Sequence, residues 1–376
     1  MKKLIKNLVK ALSVSAIACV AMTGCQNEID GVTPSDWSEG VMATSAWVMA
    51  GTGSTISTSS DVLHLAYSED GLSWTLLTSS AYTSGIGTTH IRDPYIFRMN
   101  DGTFVLLAAD FTSDGMFYDP GAGEDWSYGN NPSKRIIVAY SDDLVTWNYE
   151  HTLTLTDSTG KYGVRYPRAM YNKFDRCYDI YFTWDNGDGV QGIYYVQTED
   201  FLTLKYDDVH TVFSSDHSVG QATVVKGSSN YYLMCRDTRD SDDDVLETKL
   251  GGDIQCAKLK TWGDGTFSIM GDADAAIGNK KSNYYVNRGS DQNNVLWQSE
   301  PCVYQLASGK WIMLVNYVSS TGYDGQYAAY ETENIDDPTS WTDCTSSVTK
   351  FSSGRIIGTS VTRITAAELD VLKAAF

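Results

Sequence analysis

The chain has 376 residues, a formal net charge of −19 and 12% aromatic residues, with 24 tyrosines and 10 tryptophans. So acidic a protein repels nucleic acid and acidic polymers, and its charge points to a neutral or cationic partner. The length allows one large β domain or two ordinary ones. Beyond Cys19 and Cys25, the cysteines Cys177, Cys235, Cys256, Cys302 and Cys344 lie far apart with no C-x-x-C pair, which argues against a zinc site and predicts buried free thiols.

Residues 1–24 combine a basic start (Lys2, Lys3, Lys6), an apolar run and small residues before Cys25, and read as a secretory signal peptide. The pattern resembles a bacterial lipoprotein signal. That implies lipidation at Cys25, a polar tether over 25–40, and a lipid-anchored protein of the bacterial cell envelope, touching the membrane through its N-terminal lipid only. An ordinary cleaved signal is the alternative. Loss of the signal removes four lysines and no acid, taking the charge from −19 to −23.

From residue 41 to 376 the chain is short runs of Val, Ile, Tyr, Phe and Trp between Gly, Asn, Asp and Ser clusters, which is strand-and-turn composition. One run repeats. Leu63 to Trp74, with Ser68-Glu69-Asp70-Gly71 at its turn, resembles Ile136 to Trp147, with Ser141-Asp142-Asp143-Leu144. Weaker copies begin at Ile193, Ile254 and Tyr327, the last ending at Trp341. Two strands precede most copies, giving four-stranded units of the kind that form propeller blades. The first copy has only one strand ahead of it, Ala46 to Ala50, and the C-terminal run Gly358 to Ile364 supplies the missing one. The prediction is all-β: a five-bladed β-propeller closed by pairing of its N- and C-terminal strands, with a β-sandwich plus a second β domain as the alternative. Thr365 and Glu368 predict a capping box on a short final helix.

In a propeller the innermost strands begin around one central pocket. Their starts here are Arg92-Asp93-Pro94, Tyr166-Pro167-Arg168, Gly220-Gln221-Ala222, Ser299-Glu300-Pro301 and Ile357-Gly358-Thr359. Asp93 and Glu300 thus face one cavity. Two carboxylates across a pocket suit glycoside hydrolysis, one activating water and the other protonating the leaving oxygen.

This pattern of Asp-Pro opening the first full blade and Glu-Pro opening the fourth resembles glycoside hydrolase family 43, from about Ser45 to the C-terminus. The resemblance implies an inverting glycosidase acting on a neutral plant-type oligo- or polysaccharide such as an arabinoside, xyloside or galactoside. Asp93 then falls on the general base. The family's pKa-tuning Asp on the third blade falls on Gln221. If Pro301 is the third motif residue, the family's acid falls on Ser299, with Glu300 one step along and facing the pocket only if a bulge intervenes. An acidic position on the second blade becomes Arg168, and the axial histidine of the fifth blade becomes Ile357, so no cofactor or metal is expected.

The expected site is therefore Asp93 and Glu300 as catalytic residues, with Arg92, Tyr166, Arg168, Gln221, Trp184, Asp185 and Ser299 as substrate contacts. For Trp184 core packing competes with stacking on sugar, and Asp110 and Asp237 are secondary candidates. A monomer is expected. The departures at Gln221, Ser299 and Ile357 leave a second reading open, a noncatalytic glycan-binding propeller that kept the pocket.

Overall fold

The computed structural model describes residues 45–53, 61–111, 133–160, 162–172, 175–185, 190–213, 218–227, 230–237, 253–259, 267–269, 295–319, 327–349 and 356–376. The signal segment, Cys25 and the tether lie outside these residues, as do the loops 112–132 and 270–294, the acidic run 240–244 and Asn186.

Among the described residues, twenty strands form five four-stranded sheets. The first blade is β4 (Ile91–Arg98), β5 (Phe104–Asp110), β6 (Arg135–Ser141) and β7 (Asn148–Thr154). The second is β8 (Arg165–Asn172), β9 (Cys177–Trp184), β10 (Gly192–Thr198) and β11 (His210–Phe213). The third is β12 (Val219–Lys226), β13 (Tyr231–Asp237), β14 (Asp253–Leu259) and β15 (Phe267–Ile269), and the fourth is β16 (Val295–Gln305), β17 (Trp311–Ser319), β18 (Tyr327–Thr332) and β19 (Thr342–Asp343). The fifth closes the ring as predicted: β20 (Ile356–Thr365) pairs antiparallel with β1 (Ser45–Gly53), which is followed by β2 (Leu63–Ser68) and β3 (Thr75–Tyr82). The inner strands touch in order round the axis, β4 with β8, β8 with β12, β12 with β16, β16 with β20 and β20 with β4.

The core is five apolar layers, one between each pair of blades. Side chains alternate faces along a strand, so a blade buried on both sides reads as an unbroken apolar run. In β5, Phe104 and Leu106 pack on Val48 and Leu65 of the fifth blade, while Val105 and Leu107 pack on Ile180 and Phe182 of the second. Tyr181 and Ile193 meet Leu233 and Cys235, Tyr232 and Met234 meet Met313 and Val315, and Ile312 and Leu314 meet Trp47 and Met49. Cys177, Cys235, Cys256, Cys302 and Cys344 are buried, and no disulfide joins these described cysteines, as expected of apolar strand residues.

The repeated turn has a physical basis. The hydroxyl ending the third strand accepts from the N–H three residues on: Ser68 from Gly71, Ser141 from Leu144 and Thr198 from Phe201. The carboxylate two residues after that hydroxyl accepts the next two N–H groups, Asp70 from Leu72 and Ser73, and Asp143 from Val145 and Thr146. Burial pushes the Asp70 carboxyl up, but the bonds from Ser73, Leu72 and Ser68 outweigh it and hold the group at about 2. Asp143 is lowered through the same balance of burial against N–H and hydroxyl bonds. A carboxylate depressed in the fold stabilises it above its ordinary value near 4 and loses that contribution as the pH falls through the depressed value. Asp70→Asn keeps the shape and loses the charge. Its Tm deficit against the wild type, followed by calorimetry, is expected at pH 6 and closes as the pH falls to about 2. A deficit that does not vary with pH would assign the turn's stability to shape alone.

After β20, helix α1 (Ala366–Ala375) begins with the predicted capping box. Glu368 closes that box and also receives two bonds from Arg98 at the end of β4, at 2.8 and 2.7 Å, tying the C-terminus to the first blade.

Candidate active site

All five inner strands carry the same irregularity at the same place. Two residues oppose one across the first strand pair, skipping Asp93-Pro94, Tyr166-Pro167, Gln221-Ala222, Glu300-Pro301 and Gly358-Thr359. The first residue of each pair is left-handed, with φ of 53° at Asp93, 49° at Tyr166, 53° at Gln221, 54° at Glu300 and 62° at Gly358. Proline suits the second place because it has no N–H to offer the ladder. Left-handed backbone at four non-glycine residues costs energy and persists only where the surroundings over-determine it, as at functional sites.

The bulges turn these side chains to one place on the axis. Asp93, Tyr166, Gln221 and Glu300 are buried, each between 4% and 8% exposed. Their main-chain N–H groups pass round the ring to the preceding blade. Tyr166 N–H donates to Asp93 Oδ2 at 3.4 Å, Gln221 N–H to Thr183 Oγ1 at 2.9 Å, Glu300 N–H to Gln221 Oε1 at 3.2 Å and Gly358 N–H to Glu300 Oε2 at 2.7 Å. The Tyr166 hydroxyl donates to Glu300 Oε1 at 2.9 Å and accepts from Gln221 Nε2 at 2.8 Å. Asn316 on β17 donates to Glu300 Oε2 through its amide.

Gly358 lies between the carboxylates. Its N–H holds Glu300 Oε2 at 2.7 Å, and the point a Cβ would occupy is 3.0 Å from Asp93 Oδ1. With the N-to-Cβ span of one residue, the two carboxylate oxygens are no more than roughly 8 Å apart. Burial pushes the Glu300 carboxyl above its ordinary value, and the charge of Asp93 adds to that push. The bonds from Gly358 and Tyr166 and the charge of Arg92 act against it.

The one-residue shift that turns Glu300 from the pocket does not occur, because the bulge skips Glu300 and Pro301 together and places Glu300 in register with Asp93. Tyr166 and Gln221 share the same pocket. The other expected contacts lie elsewhere. Arg92 turns to the fifth blade, where it donates to Gly53 O and pairs with buried Asp61 Oδ1 at 3.2 Å. Arg168 is two residues past the pocket position. It plugs the axis beneath, donating to the carbonyls of Asp93, Pro167 and Thr359, 5.3 Å over the Tyr95 ring. Trp184 packs edge-on to Tyr194 in the layer between the first and second blades, so core packing prevails over stacking on sugar. Asp185 is fully buried against Gly160. Ser299 sits one residue before the bulge, buried and in register with Asn316. Asp110 is buried and bonds Thr88 N–H and Arg135, and the Asp237 side chain lies outside the described residues.

The fifth-blade position is Gly358, whereas Ile357 pairs with Thr52 before the bulge. The residues there do not fit an axial cation. Gly358 brings no side chain, and the carbonyls of Asp93, Pro167 and Thr359 take the Arg168 guanidinium. A cavity of about 190 Å³ runs along the later halves of the inner strands, past Tyr95, Thr223, Cys302 and Ser360. It is separate from the carboxylate pocket, since neither Asp93 nor Glu300 lines it.

Two participants escaped the sequence reading, Asn316 and the Gly358 N–H. The signal for Asn316 was a lone polar residue at the heart of an apolar strand, which when buried must find a partner.

Residues 45–370 match the model of a family described as "Probable glycosyl hydrolase domain", related to glycoside hydrolase family 43. No curated protein matches the sequence. Among solved structures, an endo-1,4-β-xylanase from Bacteroides thetaiotaomicron is 16% identical with a TM-score of 0.51, over 79% of this chain and 90% of that one. An endo-arabinase from the same organism is 18% identical over 70% and 82% of the two chains, with a TM-score of 0.44. An α-L-arabinanase from Cellvibrio cellulosa is 10% identical over 76% and 87%, with a TM-score of 0.48. At these identities the likeness to the xylanase speaks for the shared propeller fold.

Proposed function

The chain belongs to the family-43-related glycosyl hydrolases, and from that premise we propose that it hydrolyses O-glycosidic bonds of a neutral plant-type glycan with inversion. Asp93 is the general base and Glu300 the general acid. The observation that carries this reading is the matched pair of bulges that brings both carboxylates to Gly358. Burial and the neighbouring Asp93 charge both favour the protonated form of Glu300, as an acid requires. When that proton leaves, the Gly358 N–H and the Asn316 amide already point at the carboxylate that forms. Donors placed where charge develops favour the transition state over the ground state. The family's third-blade Asp is not needed for this effect, because Asp93 itself supplies the like charge that Gln221 lacks.

The separation limit of roughly 8 Å admits the lower part of the ~6.5–9.5 Å that inverting enzymes use to seat a water. It also admits the ~5–5.5 Å of retaining ones, so inversion here rests on the family likeness. The xylanase name of one structural neighbour favours a pentose-containing glycan. The expected result is release of nitrophenol from an arabinofuranoside, xyloside or galactoside, with product of inverted configuration when followed by NMR. A wild type no faster than Asp93→Asn across that panel, yet binding oligosaccharides by calorimetry, would leave a glycan-binding propeller.

A further inference from the structure

Glu300 sits in a set of hydrogen bonds that treats its two oxygens differently. Oε2 accepts from Gly358 N–H, a main-chain donor that cannot become an acceptor, and from the Asn316 amide nitrogen. Among the described residues Oε1 accepts from Tyr166, at 2.9 Å, and a hydroxyl can both give and take. A proton on Glu300 therefore belongs on Oε1, against Tyr166. Gln221 fixes the hydroxyl from its far side, donating at 2.8 Å, while Gln221 Oε1 takes Glu300 N–H at 3.2 Å, so the three residues close a ring. Tyr166 also donates its main-chain N–H to Asp93 Oδ2 at 3.4 Å. One residue thereby touches both carboxylates.

We propose that Tyr166, locked by Gln221, is a positioning residue for the acid: its hydroxyl donates to Oε1 of ionised Glu300 and turns to accept when Oε1 carries the proton. The proposal rests on Glu300 as the acid. In the forward step the Oε1–H bond breaks as an O–H bond forms on the leaving oxygen, and the Tyr166 hydroxyl swings back to donate to the new carboxylate. Water entering the pocket restores the proton. No charge forms on the phenol at any stage.

The groups that bear on this titration come from each element around Glu300. β4 contributes Asp93, which raises its carboxyl, and Arg92, which lowers it. β8 contributes the Tyr166 hydroxyl, and β18 contributes Tyr327, whose own hydroxyl bonds the Ile356 carbonyl. Among the described residues, β12, β17 and β20 contribute the neutral Gln221, Asn316 and Gly358 N–H. Removing the hydroxyl deletes a bond made to the ionised form and so moves the Glu300 midpoint upward.

The test is Tyr166→Phe in the full chain, with the Glu300 carboxyl followed by NMR of ¹³C-labelled glutamate and assigned through Glu300→Gln. The expected midpoint rises by about half a pH unit or more. kcat falls about tenfold with KM within a few-fold, and the alkaline limb of kcat moves the same way. Gln221→Leu leaves the hydroxyl but removes its anchor, and shifts the midpoint in the same direction by less; it carries the test if the phenylalanine variant does not fold. A midpoint unmoved in a folded variant overturns the positioning role, whatever happens to the rate. A moved midpoint in a protein that hydrolyses nothing upholds the positioning and sinks the hydrolase reading instead.

Discussion

Asp93→Asn is expected to lower kcat/KM on the best nitrophenyl glycoside by at least about 10²–10⁴-fold, the usual worth of general acid–base help. The amide keeps the size of the side chain and an oxygen for the Tyr166 N–H at 3.4 Å, so the bulge and the ring around it remain. What disappears is the group that takes a proton from water. A second effect separates this variant from a merely misfolded one. The Asp93 charge helps to raise the Glu300 carboxyl, so without it Glu300 titrates at lower pH and any residual activity fails earlier as pH rises. That displacement is opposite in sign to the one expected of Tyr166→Phe. The amide also removes a buried charge and its desolvation cost, so the Tm of the variant is expected to equal or exceed that of the wild type. Rates within tenfold of the wild type, with an unmoved alkaline limb, would remove Asp93 from the chemistry.

The architecture was readable because the physics that builds it is local and repeated. Continuous apolar runs such as Phe104 to Ala109 mark strands buried on both faces, and the Ser-x-Asp turns recur because each satisfies several N–H groups with two short side chains. Even the closure was legible, since one repeat lacked a strand and one terminal run lacked a partner. The site was less so, because its register depends on a bulge. Asp93-Pro94, Tyr166-Pro167 and Glu300-Pro301 align directly on their prolines, which makes Asp93, Tyr166 and Glu300 equivalent. Aligning to a motif with an extra residue before its proline instead put Ser299 at the acid position. The family's acidic residue after the second-blade proline and its fifth-blade histidine put Arg168 and Ile357 at the pocket. No propensity foretells a left-handed Tyr166, Gln221 or Glu300, since such a conformation is imposed by the fold around it. Side-chain direction was equally hidden. Arg92 and Arg168 stand next to pocket residues in the chain, yet a buried Asp61 and three carbonyls claim their guanidiniums.

Gly358→Ala is expected to inactivate the protein as fully as Asp93→Asn although it changes no ionisable group. A Cβ on Gly358 would stand 2.9 Å from Asp93 Cα, 3.0 Å from its Oδ1 and 3.2 Å from its N, and two of these atoms are backbone, which cannot swing aside. The residue is also left-handed, with φ of 62°, where a Cβ costs about 1–2 kcal/mol by itself. Whichever way the strain relaxes, something catalytic moves. If Asp93 retreats, the base leaves its place; if β20 retreats, Glu300 Oε2 loses the N–H now 2.7 Å away. Overpacking of this kind adds about 1–3 kcal/mol to the conformational cost, enough to lower Tm by several degrees. Gly309→Ala is the matching control, since Gly309 has a φ of 88° and nothing within 4 Å of its Cβ position. It carries the conformational cost without the collision, so it should lose part of that stability and none of the activity. Equal Tm losses in the two variants, with Gly358→Ala still active, would mean that the close approach to Asp93 is not what the glycine is there to permit.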